Sequence, residues 1–309
     1  MRYAVLFPGQ GSQSVGMGSD VFAARPDLLG AKADELLGWS LADVCASGPE
    51  AELTRTEIAQ PALYAIAYAL WSEFSNATGE SPTTGAGHSL GEYTALAASG
   101  AMTYEEGLRL VAARGRAMGD AAREAMSGMA ALLGTDRAAA EDIASRRRAE
   151  GGRLWVANIN APGQIVLAGG TEDVAWLGAH ARELGARRAI PLKVAGAFHS
   201  PYMETAATAF RPILDDVAFG ETAFPVYANS TAAPIGDEVA ATLAEQIVRP
   251  VRFADTLTAM AESGVEAFVH IGPGDVTAGM ARRCVPDALV LSVSSLDDVA
   301  AVADALAVQ

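Results

Sequence analysis

Cysteine is nearly missing from this chain: Cys45 and Cys284 are the only two in 309 residues. Two thiols cannot build a disulfide framework or a cysteine metal site, and their scarcity fits a reducing compartment. Histidine is scarce too, with four residues and no metal-ligand spacing, so no metal is expected. Charged residues make up 19% against 50% hydrophobic, a balance that excludes disorder and supports a compact globular protein. Basic residues are outnumbered 22 to 37, and the formal charge of −15 opposes nucleic acid as a partner, because a phosphate backbone demands a basic face. No apolar run reaches membrane-spanning length, so no membrane is expected either. The opening MRYAVLFPGQG passes from one arginine through a short apolar run into a Gly/Pro turn. That is the pattern of a first strand and not of a secretory signal, and the expected location is the cytoplasm.

What is present is unevenly distributed. Between Arg123 and Ala195 ten Arg/Lys stand against eight Asp/Glu, a local net of +2 that leaves −17 for the rest. The same segment has its own pattern: MSGMAALLG reads as a strand, DRAAAEDIASRRRAEG as a helix, and RLWVANINAPGQIVLAGG as two strands about an Asn-Ala-Pro-Gly turn. TEDVAWLGAHARELG follows as a helix capped by Thr171, with Val174, Leu177, Ala181 and Leu184 on one face, and RRAIPLKVAG as a strand. The order β-α-β-β-α-β is the split ferredoxin-like unit. On either side of it YAVLFPG, TTGAGHS, PVYANS, AFVHIGP and LVLSVS are short apolar strands with helical stretches between most of them. The expectation is an α/β protein: a large subdomain of residues 1–122 and 196–309 with a mostly parallel sheet, a ferredoxin-like small subdomain inserted at 123–195, and a cleft between the two.

Within the large subdomain, GAGHSLGEYTAL sets Ser89 midway between Gly87 and Gly91. Glycines two before and two after a serine permit the sharp strand-to-helix bend that exposes a nucleophilic oxygen. A helix beginning near Leu90, with Glu92 in its first turn, would aim free N–H groups at the same place. The motif is short, so the reading depends on finding a base. His88 adjoins Ser89 and should project away from it, and His180 lies midway along a helix. His199 in VAGAFHSPYM and His270 in AFVHIGPGDV remain, and His199 is favoured because the chain re-enters the cleft there from the small subdomain.

The chain resembles the malonyl-CoA:acyl carrier protein transacylase family, which includes discrete polyketide-synthase acyltransferases. The resemblance is carried by blocks in the family's order: FPGQGSQSVGMG, GHSLGEYTAL, RLVAARGRAM, ANINAPGQIVLAG, GAFHSPYM, VYANSTAAPI, QIVRPVRF and HIGPGD. It implies a hydrolase-like large subdomain, with Ser89 as acyl-accepting nucleophile, His199 as its base and His270 structural. It further implies a backbone carbonyl near Gln246 orienting the histidine, backbone amides of Gln10 and Leu90 as oxyanion hole, and Arg114 gripping the free carboxylate of a malonyl group. Asn160 is expected along the cleft, and Leu90 and Phe198 are expected to select malonyl, with C2-substituted malonyl units left open. The implied reaction moves the acyl group from CoA to the phosphopantetheine thiol of an acyl carrier protein, in fatty acid or polyketide biosynthesis, with no cofactor and the protein acting as a monomer. An α/β-hydrolase-type thioesterase or esterase and a catalytically silent carrier-binding scaffold are the rivals. Because carrier proteins of this kind are acidic, Arg146, Arg147, Arg148, Arg187 and Arg188 are the expected docking contacts.

Overall fold

The computed structural model describes residues 1–307. Its strands in chain order are β1 (Tyr3–Phe7), β2 (Thr84–Gly87), β3 (Ser127–Leu133), β4 (Leu154–Ala161), β5 (Gln164–Gly170), β6 (Arg188–Pro191), β7 (Val226–Tyr227), β8 (Ala267–Ile271) and β9 (Leu289–Val293). Two sheets result, one of order β7-β2-β1-β8-β9 and one of order β4-β5-β3-β6.

Every pairing in the first sheet is parallel, and β1 at its centre is buried along its whole length. That burial explains why YAVLF carries no polar alternation: helices cover both faces of a parallel sheet, so both faces are core. One face packs on the helices Thr56–Thr78 and Gly91–Ala98 through Val5, Phe7 and Val269. The other meets the Phe253–Glu262 and Val276–Cys284 helices through Ala4, Leu6 and Phe268.

The second sheet is antiparallel, and its order is that of the ferredoxin-like unit. Alternation along β3 divides its side chains: Ala130 and Leu132 face the helices Arg137–Ala149 and Thr171–His180, whereas Met129 and Ala131 join the main core. The second of these helices departs from expectation at its start. Thr171 is its first residue and Gly170 its N-cap, without a side-chain capping bond. The expected apolar face is present, with Leu177 and Ala181 buried and Val174 and Leu184 packed against them. β4 also fastens the two sheets' units together, since Ile159 N–H donates to Val251 O (2.8 Å) and Val251 N–H to Ala157 O (2.8 Å).

Candidate active site

The bend around Ser89 is built by exclusion. A Cβ on Gly87 would lie 1.9 Å from the Gly91 carbonyl, and one on Gly91 would lie 2.3 Å from Phe7 O, so neither position admits a side chain. Between them Ser89 takes φ 52°, a left-handed conformation that costs an L-residue about 1–2 kcal/mol. The Gly91–Ala98 helix begins immediately afterwards, with Leu90 as its N-cap. Asn229, just beyond β7, holds this turn: its Oδ1 accepts from Ser89 N–H (2.6 Å) and its Nδ2 donates to Gly87 O (2.7 Å).

His199 also has a left-handed backbone, φ 56°, and its ring meets the serine, with Nε2 2.8 Å from Ser89 Oγ. Its Nδ1 lies 2.9 Å from the main-chain carbonyl of Gln246. A carbonyl can only accept, so Nδ1 carries the proton and Nε2 is the free base. Burial, reinforced by the nearby Arg114 charge, pushes the imidazole down to about 3 and keeps it neutral. His270 is placed elsewhere, buried at the end of β8 between Thr277 Oγ1 (2.5 Å) and Gly272 O (3.0 Å). His180 bonds Trp176 O on its own helix (2.9 Å). His88 does not simply turn away from Ser89: its Nε2 reaches across the cleft to Asn160 Oδ1 at 2.8 Å.

Arg114 is wholly buried on the Tyr104–Glu124 helix. Its Nη1 donates to Gln60 Oε1 (2.7 Å), and its Nη2 to Gln246 Oε1 (2.8 Å) and Ser89 Oγ (3.1 Å). Its guanidinium lies 5.3 Å from the Tyr93 ring centroid. Among the described residues these partners are all uncharged, so a buried cation stands beside the serine with no carboxylate on its fork. A cavity of about 200 Å³ opens there, lined by Gln10, Leu90, Arg114, Asn160, Phe198 and His199. Among the described residues neither the Gln10 nor the Leu90 amide donates to a protein acceptor, which leaves both N–H groups for a ligand oxygen.

Sequence reasoning missed Gln60, Asn229 and the part played by Glu92. Gln246 Nε2 donates to Ser89 O (2.7 Å) and Glu92 Oε2 (3.0 Å), so the glutamine ties Ser89, His199 and Arg114 together. The only signal of Asn229 and Gln60 was a polar residue inside an apolar stretch, in VYANS and IAQPAL.

The five arginines expected as docking contacts do not form one surface. The Arg137–Ala149 helix starts beside the end of β3 and runs back, so Arg146, Arg147 and Arg148 sit near the start of the edge strand β4. Arg188 begins β6, the opposite edge, at the opposite end, and Arg187 immediately precedes it. Arg147 is further tied to Asp173 (2.7 Å) and Trp176, and Arg148 donates to Leu154 O (2.5 Å), so both brace the small subdomain.

The model of the acyl transferase domain family matches residues 5–295. The chain is 38% identical to the malonyl CoA-acyl carrier protein transacylase of Bacillus subtilis over 286 residues, 91% of this chain and 90% of that protein. It is 41% identical over 285 residues to the polyketide biosynthesis protein ThaF of Burkholderia thailandensis, covering 92% of this chain but 24% of that longer protein. Among solved structures it is similar to a malonyl-transacylase in complex with its holo type II polyketide acyl carrier protein. There the TM-score is 0.94 at 33% identity, over 99% of this chain and 100% of that one.

Proposed function

This chain belongs to the acyl transferase domain family, and we infer that it transfers a malonyl group from CoA to the phosphopantetheine thiol of an acyl carrier protein through an acyl-serine. The observation that carries the reading is Arg114: a buried guanidinium 3.1 Å from the nucleophilic oxygen, with only uncharged partners, is a receptor for an acyl chain that brings its own carboxylate. An esterase for neutral acyl groups has no use for it.

In this reading the malonyl carboxylate takes the Arg114 fork and the thioester oxygen points at the Gln10 and Leu90 amides. Ser89 Oγ attacks the carbonyl carbon while its proton passes to His199 Nε2, and the oxyanion rests on the two amides. Collapse expels the CoA sulfur, which takes the proton from His199. The carrier thiol then repeats the sequence in reverse: it gives its proton to His199, attacks the acyl-serine, and Ser89 recovers its proton. Arg114 holds the acyl chain in one pose through both halves, and the cleft limits access of water. Phe198 beside the cavity crowds a substituent at C2, which favours malonyl over its branched relatives.

The reading calls for no metal or redox cofactor, and we place the protein in the cytoplasm, acting as a monomer. No helix among the described residues is long and apolar enough to cross a membrane. Intact mass after incubation with malonyl-CoA tests the assignment. A stable malonyl adduct that leaves on addition of holo-carrier protein is expected; prompt release of free malonate would make the protein a hydrolase, and no adduct would make it a scaffold.

A further inference from the structure

Glu92 is completely buried in the first turn of the Gly91–Ala98 helix. Its Oε2 accepts from Gln246 Nε2 (3.0 Å) and from Asn229 N–H (3.0 Å), whereas Oε1 has no partner among the described residues. A buried carboxylate served on one oxygen by two neutral donors is costly unless a cation lies near. That cation is Arg114, because Gln246 Oε1 accepts from Arg114 Nη2 at 2.8 Å while the same amide's Nε2 donates to Glu92. One side-chain amide therefore spans the two charges, and the carboxylate balances the guanidinium without occupying its fork.

We propose that Glu92 sets the acyl specificity of the site as a positioning residue that exchanges its charge for the substrate's: ionised, it balances Arg114 through Gln246, and it takes up a proton when an acyl carboxylate occupies the arginine. This rests on the reading of Arg114 as the acyl-carboxylate receptor. Two anions cannot share one buried cation at full charge, and the one farther from the guanidinium yields. The proton comes from solvent and settles on the unpartnered Oε1, with no other bond made or broken.

The surroundings suit such an exchange. Burial raises the Glu92 carboxyl to about 7, and hydrogen bonds from Gln246 and Asn229 with the Arg114 field keep it from rising further. Tyr93 on its own helix is the other ionisable neighbour, and burial pushes that phenol up, so it stays neutral. Of the elements packed on this helix, β1, β2 and β7 carry no charged residue. Glu57 and Glu73 of the Thr56–Thr78 helix are paired with Arg55 and Arg25.

The test compares kcat/KM for malonyl-CoA and acetyl-CoA as a ratio across pH. The CoA phosphates and His199 are common to both substrates and cancel. In the unaltered protein, ionised Glu92 competes with the malonyl carboxylate, so the malonyl-to-acetyl ratio should fall above neutrality by up to about tenfold per pH unit. Glu92→Gln, neutral and of the same size, should hold the ratio high and independent of pH. A second measurement needs no variant: near pH 8, in weak buffer with an indicator dye, loading from malonyl-CoA should take up as much as about one proton per site more than loading from acetyl-CoA, the partial ionisation of the released CoA thiol being common to both. A flat ratio in the unaltered protein, the same slope in Glu92→Gln, or equal proton uptake from both substrates overturns the proposal. A ratio of one at every pH contradicts the malonyl reading itself, and so separates the two failures.

Discussion

Replacing Arg114 by alanine should convert a malonyl-selective site into an indifferent one. The guanidinium is fully buried, and its Nη1 and Nη2 already make three hydrogen bonds to uncharged partners, so its fork is fixed before substrate arrives. Truncating one partner of a buried, hydrogen-bonded charge pair costs about 2–5 kcal/mol, or about 30- to 5,000-fold in the malonyl-to-acetyl ratio of kcat/KM. Collateral damage affects both substrates: Gln60 and Gln246 each lose a donor, and Ser89 Oγ loses the Nη2 contact. Only malonate has a carboxylate to strand, so the ratio isolates its recognition. Arg114→Lys is the sharper variant, since a point charge without the planar fork should recover a fraction of the malonyl rate and none of the two-point grip. Initial rates of acyl-enzyme formation, read by intact mass, supply the ratio. Equal losses with malonyl-CoA and acetyl-CoA would refute the argument and leave Arg114 a structural residue.

Ser89→Ala should give no acyl adduct in the same assay, and His199→Ala should slow acylation by roughly 10²–10⁴-fold, as for loss of a general base. His270→Ala should instead lower the melting temperature and spare the acylation rate, because its ring is bonded to Thr277 and Gly272 away from the serine. With the folded imidazole of His199 near 3 and an unfolded value near 6.5, the unfolded chain binds the extra proton. Stability should therefore fall as pH drops below about 6.5, by up to about 1.4 kcal/mol per unit from this group. Denaturant titrations of His199→Ala should show that slope reduced; an unchanged slope would mean that His199 does not titrate differently on unfolding. Gly91→Ala places a methyl group 2.3 Å from Phe7 O and should destabilise by about 1–3 kcal/mol or more, whereas Gly236→Ala, in open space, should melt like the parent.

The two sheets were legible in the sequence because their strands are short apolar runs between turn residues, and the elbow because Gly87, Ser89 and Gly91 are read directly from their spacing. The residues that complete the site were not. Gln60 and Asn229 are each one polar residue in an apolar stretch, and the contacts that matter join Asn229 to Ser89 across 140 positions and Glu92 to Gln246 across 154. The separation of the five arginines was hidden for a related reason. Grouping arginines by segment ignored that the Arg137–Ala149 helix reverses direction against β3, which carries Arg146 to one end of the subdomain while Arg188 stays at the other.

The neutral carbonyl on His199 follows from the company it keeps. A carboxylate at the position of Gln246 O would stabilise the imidazolium formed during attack, and by that measure it would be the better partner. It would also add an anion to the surroundings of Arg114, whose charge already acts on the His199 ring. The arginine would then be neutralised by its own protein and lost to the acyl carboxylate. A carbonyl fixes the tautomer at 2.9 Å without that competition, and the anion the site does contain, Glu92, is kept one amide away. His199 keeps a weaker partner, and the Arg114 fork beside Ser89 keeps no carboxylate on it.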